Sequence, residues 1–301
     1  MPDYKNFVLK SREFLKNYIK KYDLKSLICG ISGGIDSTLS CAIAYPVCKE
    51  LNIPLIGRSL PTTSNKIDET TTAFKVGEAF CDDFKEVPIE NSFNIVFSDL
   101  ALNEGYITKL QEGNIKARLR MIYLRHLASI HKGIVLDNDN FTEWNLGFWT
   151  VGGDSPMDLN LGLHYLWKTE VYELAKYLLQ YYEGDKFQAI EASFNLIPTD
   201  GNGVSKSDCE QFGLDNYEQV DDVLKTMYYN ISLNNLDKPI VYENLEIKQT
   251  SDKVKLHLSE YIRLIDSYNE QGVDKVMMLH QNTDFKRCPS PIMPDKAELG
   301  L

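Results

Sequence analysis

The 301 residues are 43% hydrophobic and 25% charged, the make-up of a soluble globular protein with chain enough for one large domain or two small ones. Lys and Arg number 32 against 43 Asp and Glu, a formal charge of −11, which argues against non-specific binding to nucleic acid or an anionic membrane surface. Cys29, Cys41, Cys48, Cys81, Cys209 and Cys288 form no CxxC pair, so neither a zinc site nor a disulfide framework is indicated. No apolar run approaches the length of a membrane span and residues 1–22 lack a signal-peptide core; a cytoplasmic, reducing setting is expected.

Residues 4–22 alternate apolar positions with Lys and Arg at helical spacing. The short apolar run 26–31 reads as a buried strand ending in Ser-Gly-Gly. A helix follows over 37–51, with Pro46 predicting a kink or early stop. Strands at 54–58 and 84–89 bracket a helix at 68–81. The longest helix, 114–131, carries Leu119, Ile122, Tyr123, Leu127 and Ile130 on one side and feeds a strand at 133–136. This alternation is the pattern of a doubly wound α/β fold, a mostly parallel sheet flanked by helices. Segment 141–161 is loop-heavy, 167–179 is helical, and 199–207 is a polar Gly/Ser stretch that could be mobile. Helices at roughly 216–230, 252–268 and 273–281 form a helical C-terminal extension. The simplest division is one domain, with a core over about 24–200 and a helical part over about 210–292.

The strand, the loop Gly30-Ile31-Ser32-Gly33-Gly34-Ile35-Asp36-Ser37 and the following helix together form a phosphate-binding arrangement. Adjacent glycines permit positive φ and remove the Cβ atoms that would block a phosphate. The helix presents free N–H groups and its positive end. Asp36 conflicts with an anion unless a metal bridges them, and Mg²⁺ held by carboxylates and phosphate oxygens removes the conflict. A plain Gly-Gly turn with an Asp-Ser cap is the duller alternative. There is no Gly-Lys-Ser/Thr of a Walker A loop and no GxGxxG.

The loop resembles the SGGxDS signature of the N-type ATP pyrophosphatases, whose fold is that of the adenine nucleotide alpha hydrolases. Four further segments resemble NAD synthetases: Glu112-Gly-Asn-Ile-Lys-Ala-Arg-Leu-Arg-Met121; Glu143 with Gly147-Phe-Trp-Thr150, Gly153-Asp154 and Asp158; Leu166-Trp-Lys168-Thr169; and Phe285-Lys286-Arg287-Cys-Pro289. No glutaminase domain precedes them, so the resemblance implies the ammonia-using form. That form amidates deamido-NAD with ATP through an acyl-adenylate, releasing AMP and pyrophosphate, and works as a homodimer with the dinucleotide near the subunit interface. It also implies that Gly30, Ile31, Ser32, Gly33, Gly34, Ile35, Asp36, Ser37, Asn138, Lys168 and Ser193 bind ATP. Mg²⁺ falls to Asp36 and Glu143, deamido-NAD to Arg118, Asp158, Phe285 and Lys286, and catalysis to Asp36 and Lys168.

Taken singly, each residue has a simpler reading: Arg118 and Arg120 as solvated helix charges, Asp158 as a helix cap, Lys286-Arg287 as a surface cluster. The chain also departs from the pattern. Asp137-Asn138 replaces Gly-Thr, Val151 replaces a Lys, Phe285 replaces a His, and Ser155 replaces a Gly, with Pro156 stiffening that loop. These losses fall mainly on the second substrate. An ATP pyrophosphatase acting on a different carboxylate or amine therefore stays open, as does a nucleotide-binding homologue with reduced turnover. A tRNA-modifying relative is disfavoured by the acidic balance.

Overall fold

The computed structural model describes residues 2–154, 157–201, 203–233 and 258–287. In chain order the elements are α1 (Tyr4–Tyr22), β1 (Ser26–Gly30), α2 (Ile35–Leu51), β2 (Leu55–Ser59), α3 (Ile67–Phe80), β3 (Asp83–Glu86), α4 (Glu90–Glu104) and α5 (Lys109–His131). There follow β4 (Gly133–Asp137), α6 (Phe141–Leu146), β5 (Leu159–Asn160), α7 (Lys168–Leu179), α8 (Gly184–Phe194), α9 (Asp208–Phe212), α10 (Tyr217–Leu233), α11 (Leu258–Ser267) and α12 (Glu270–Asn282), with 3₁₀ turns at Leu163–Tyr165 and Asp284–Arg287.

The five strands pair in the order β3-β2-β1-β4-β5, all parallel. Winding reverses between β1 and β4, which opens a crevice at their carboxyl ends. Side chains alternate across the sheet. Leu27, Cys29, Leu55 and Leu136 pack toward α1, α2, α7 and α8. Ile28, Ile56 and Val135 pack toward Leu124, Leu127 and Ala128 of α5. Both faces are covered, as the continuous apolar runs of the strands require. A separate apolar cluster built on α10, α11 and α12 joins the sheet layer through Leu146, Phe148 and Trp167.

Pro46 neither stops nor shortens α2, contrary to the sequence expectation. A helix passing through proline strands the carbonyl four residues back. That carbonyl, of Ala42, accepts instead from the Tyr182 hydroxyl at 2.6 Å and from Arg12 Nη2 at 3.3 Å. The α5 register also differs. Its buried face is Ile115, Ala117, Met121, Leu124 and Leu127, while Ile122 and Ile130 are exposed. Helix α4 and helix α8 have no counterpart in the sequence reading, and the loop-heavy segment contains α6 and β5. The start of the helix expected at 252–268 and the Ser155-Pro156 substitution lie outside the described residues.

Candidate active site

The crevice is a cavity of about 660 Å³ at the carboxyl ends of β1, β2 and β4. Its floor is the glycine loop. Gly33 has φ +87°, and a Cβ there would sit 2.4 Å from the Glu69 carbonyl oxygen. This glycine turns the chain against α3, and the other loop residues from Gly30 to Ser37 line the cavity. The hydroxyls are set by the turn: Gly34 N–H donates to Ser32 Oγ at 3.1 Å, and Ser37 Oγ donates to the Gly34 carbonyl at 3.0 Å. Replacing Gly33 by alanine adds left-handed strain and a backbone clash. The variant is expected to lose about 2 kcal/mol or more of stability, measured by thermal unfolding.

Opposite the loop, Lys168 at the start of α7 lies 2.6 Å from Asp36 Oδ2 and 2.8 Å from Glu143 Oε1. All three are sequestered from solvent: the Lys168 side chain is 4% exposed and the carboxylates about 15%. Local sequence explains the placement. Asn140 caps α6, accepting from Glu143 N–H at 3.0 Å, and its amide donates to Asp36 Oδ1 at 3.0 Å. Thr142 Oγ1 accepts from Lys168 N–H at 2.8 Å and donates to Asp221 Oδ1 at 2.5 Å. Asp221 belongs to α10 and also accepts from Thr169 N–H, so the C-terminal helices anchor the start of α7.

The electrostatics follow from burial. Desolvation pushes the Glu143 carboxyl up to about 7, with Lys168 only partly offsetting it and the Asp36 charge adding to the rise. Burial works against the Lys168 ammonium, but Asp36 and Glu143 outweigh it and its pKa stands well above the usual lysine value. Two buried carboxylates around one ammonium form a site that selects cations. Among the described residues no group of three His, Cys, Asp or Glu is placed to hold a metal. A divalent ion on Asp36 and Glu143 would therefore draw its remaining ligands from water or a bound phosphate, the usual state of Mg²⁺. The donor set fits that ion.

The expected nucleotide residues come together except in one respect. Asn138 reaches the loop through Nδ2, 3.4 Å from the Gly30 carbonyl. Ser193 lines the cavity, yet its hydroxyl is committed to Thr38 Oγ1 at 2.7 Å and the Ala189 carbonyl at 3.1 Å. Thr199, which the sequence reading left in a polar stretch, lines the cavity and donates to Glu69 Oε1 at 2.5 Å. That stretch is pinned, since Asn65 Nδ2 donates to the Gly201 carbonyl at 3.1 Å. Arg58 was also missed, although a cation inside an apolar strand is a legible anomaly. Its guanidinium pairs with Asp83 at 2.8 Å while Nε, among the described residues, has no hydrogen-bond partner.

The residues expected to meet the second substrate divide. Lys286 lines the cavity, its ammonium donating to the Gly147 carbonyl at 2.6 Å and to that of Trp149. Arg118 is exposed and donates through Nε to the Val151 carbonyl at 3.2 Å. Asp158 is tied to Val135 N–H at 2.9 Å and to Arg125 at 2.8 Å. Neither lines the cavity of this single chain. Phe285 lies in a described 3₁₀ turn, but its side chain is outside the described set. Chemically, the site offers a phosphate cradle, a cation cluster facing it and a second basic lobe at Lys286 and Arg120.

The NAD synthase family model matches residues 7–263. An NH(3)-dependent NAD(+) synthetase of Thermoplasma volcanium is 31% identical over 297 residues, covering 98% of this chain and 100% of that protein. The enzyme of the same description from Thermoplasma acidophilum is 30% identical, covering 84% and 95%. Among solved structures, an NMN synthetase from Francisella tularensis superposes with a TM-score of 0.71 at 22% identity, covering 98% of this chain and 100% of that one. An NH3-dependent NAD synthetase from Campylobacter jejuni gives 0.65 at 21%, covering 97% and 100%. These two structures share the fold.

Proposed function

The chain belongs to the NAD synthase family, and on that premise we propose that it amidates the carboxylate of deamido-NAD with ammonia, converting ATP to AMP and pyrophosphate. The observation that carries this reading is the Lys168 ammonium bridged between Asp36 and Glu143, directly across from the glycine loop.

A carboxylate is a poor acyl donor because its leaving group would be oxide. Attack of its oxygen on the α-phosphorus makes an acyl-adenylate, whose leaving group is AMP. In this chain the N–H groups at the start of α2 and the hydroxyls of Ser32 and Ser37 hold the β- and γ-phosphates. Lys168 turns from its carboxylates to the phosphates as they arrive, a mobile point charge suited to the role. Asp36 and Glu143 are the residues that hold Mg²⁺. Magnesium, when bound, offsets charge on the triphosphate and the departing pyrophosphate. Lys286 and Asp154 at the other end of the cavity orient the acceptor, and much of the rate comes from positioning.

The functional unit in this reading is a homodimer. Leu102, Tyr106, Leu110 and Ile122 stand 84%, 89%, 64% and 67% exposed on α4, α5 and the turn between them, large apolar side chains of the kind a partner surface covers. Arg118 shares α5 with two of them, so a second copy packed there would enclose it and let it meet a dinucleotide.

The test is pyrophosphate release with ATP, magnesium and ammonium, comparing deamido-NAD, its mononucleotide counterpart and no acceptor. Release and amide formation with deamido-NAD are expected. Asp36→Asn is expected to lower release at least a hundredfold with the melting temperature kept within a few degrees. Normal turnover in that variant would remove Asp36 from the metal site. Preference for the mononucleotide would instead favour a smaller acceptor, the change Val151 allows.

A further inference from the structure

Ammonia reaches the protein as ammonium, a cation that cannot attack an acyl carbon until it loses a proton. Among the described residues no histidine lines the cavity, and its carboxylates are the side chains whose ordinary pKa leaves them able to accept a proton near neutrality. Asp154 accepts from Thr150 N–H at 2.6 Å, and the cations Arg120 and Lys286 face it, an unwelcoming place for a further cation. Asp36 and Glu143 already share Lys168.

Asp208, the first residue of α9, has a different environment. It lines the cavity, is 3% exposed, and its Oδ2 accepts from the Tyr217 hydroxyl at 2.8 Å. Its other oxygen, Oδ1, is buried with no hydrogen-bond partner among the described residues. An open carboxylate oxygen sealed from solvent costs the fold stability unless a ligand uses it. Three observations narrow that ligand. Asp208 is not placed to join Asp36 and Glu143 around one metal ion. The aromatic face of Tyr217 lies 5.3 Å below the Lys168 ammonium, so this wall already accommodates an ammonium group. The charged and titratable groups around Asp208 are Lys168, Asp36, Glu143, Asp200, Tyr172, Tyr217 and Cys209, one cation among groups that are neutral or acidic. Burial, with Lys168 only partly opposing it, lifts its carboxyl to about 6, high enough to take a proton near neutrality.

We infer that Asp208 is a catalytic residue of the second half-reaction: Oδ1 binds ammonium and takes one proton from it. This rests on the amidation reading above. The neutral nitrogen lone pair then forms the C–N bond at the acyl carbon. The bond from that carbon to the adenylate oxygen breaks, and AMP leaves with the electron pair. The second proton lost by nitrogen passes to solvent, and Asp208 returns its own proton on product release.

Asp208→Asn keeps the acceptor for Tyr217 and removes the base. Two readouts separate its role from a structural one. Exchange of pyrophosphate into ATP, dependent on deamido-NAD and run without ammonium, reports adenylation alone. Amide formation is then compared with hydroxamate formation from hydroxylamine, an amine largely unprotonated at neutral pH. The expected result is exchange within about twofold of wild type, kcat/KM for ammonium down about a hundredfold, and hydroxylamine largely spared. Parallel loss with both amines, or a raised KM for ATP with slowed exchange, would overturn the assignment and make Asp208 a nucleotide or packing residue. Asp208→Ser serves the same comparison if the amide variant does not fold. Absence of exchange in the wild type would instead refute the amidation reading, leaving these outcomes distinguishable.

Discussion

Replacing Lys168 by methionine is expected to destabilise the chain by about 3–5 kcal/mol at pH 7.5, the cost of breaking a buried ion pair from one side, with much of the deficit recovered at pH 5. Methionine fills the space of the lysine stem but leaves Asp36 and Glu143 buried without a cation. In the wild type the Lys168 pKa is raised well above its ordinary value by those carboxylates despite burial. Its contribution is therefore complete throughout the range below that ordinary value and is lost only as pH rises through the folded one. In the variant the buried Glu143 carboxyl carries the pH dependence. Its folded pKa stands above the unfolded one, the folded state binds more protons in between, and stability climbs as pH falls. Denaturant titrations at pH 5 and 7.5 measure this directly. Equal deficits at the two pH values would show that Lys168 matters for packing and not for neutralising its neighbours. Pyrophosphate release should fall at least a hundredfold, since a preorganised cation is removed from the phosphate cradle.

The sheet was legible because its signals are local. Three apolar runs each end where turn residues begin, and strand, glycine loop and helix identify β1 by themselves. The cluster of Asp36, Glu143 and Lys168 was legible through its shared spacing, and the structure brings these three within hydrogen-bond reach. What escaped depends on partners distant in sequence. Pro46 reads as a helix breaker until Tyr182 and Arg12 arrive to satisfy the stranded carbonyl. The α5 stripe was misplaced because Ile122 and Ile130 look like core residues, yet Leu124, Leu127 and the small Ala128 are what the sheet packs against. Small residues are weak periodicity markers, and close packing prefers them. Ser193 is legible only through resemblance, and the fold adds what resemblance does not show: its hydroxyl bonds to Thr38, and Thr199 stands beside Glu69. Asp208 had no local signal at all; only its burial and open oxygen mark it.

Glu143→Gln should act on stability in the opposite sense to the lysine variant while also removing turnover. Burial holds the Glu143 carboxyl at about 7 against an ordinary value of 4.5. Below the ordinary value the group is protonated in both states and costs nothing. As pH rises toward 7 the unfolded chain ionises first and the folded chain is penalised, by about 1.4 kcal/mol for each pH unit between the two values. Glutamine cannot ionise, so the variant is expected to match wild type near pH 4.5 and to exceed it by about 3 kcal/mol at pH 8 in nucleotide-free protein. Thermal unfolding of both proteins across that range tests the expectation. Adding ATP and magnesium should reverse the order, because a ligand stabilises in proportion to its affinity and the variant lacks an oxygen that we propose holds the metal. The carboxylate is thus a burden to the empty fold that is relieved only when the site is filled, the usual relation between an active site and its scaffold. A variant less stable than wild type at pH 8 would reverse that logic, making Glu143 a structural partner of Lys168 whose charge the fold needs whether or not nucleotide is bound.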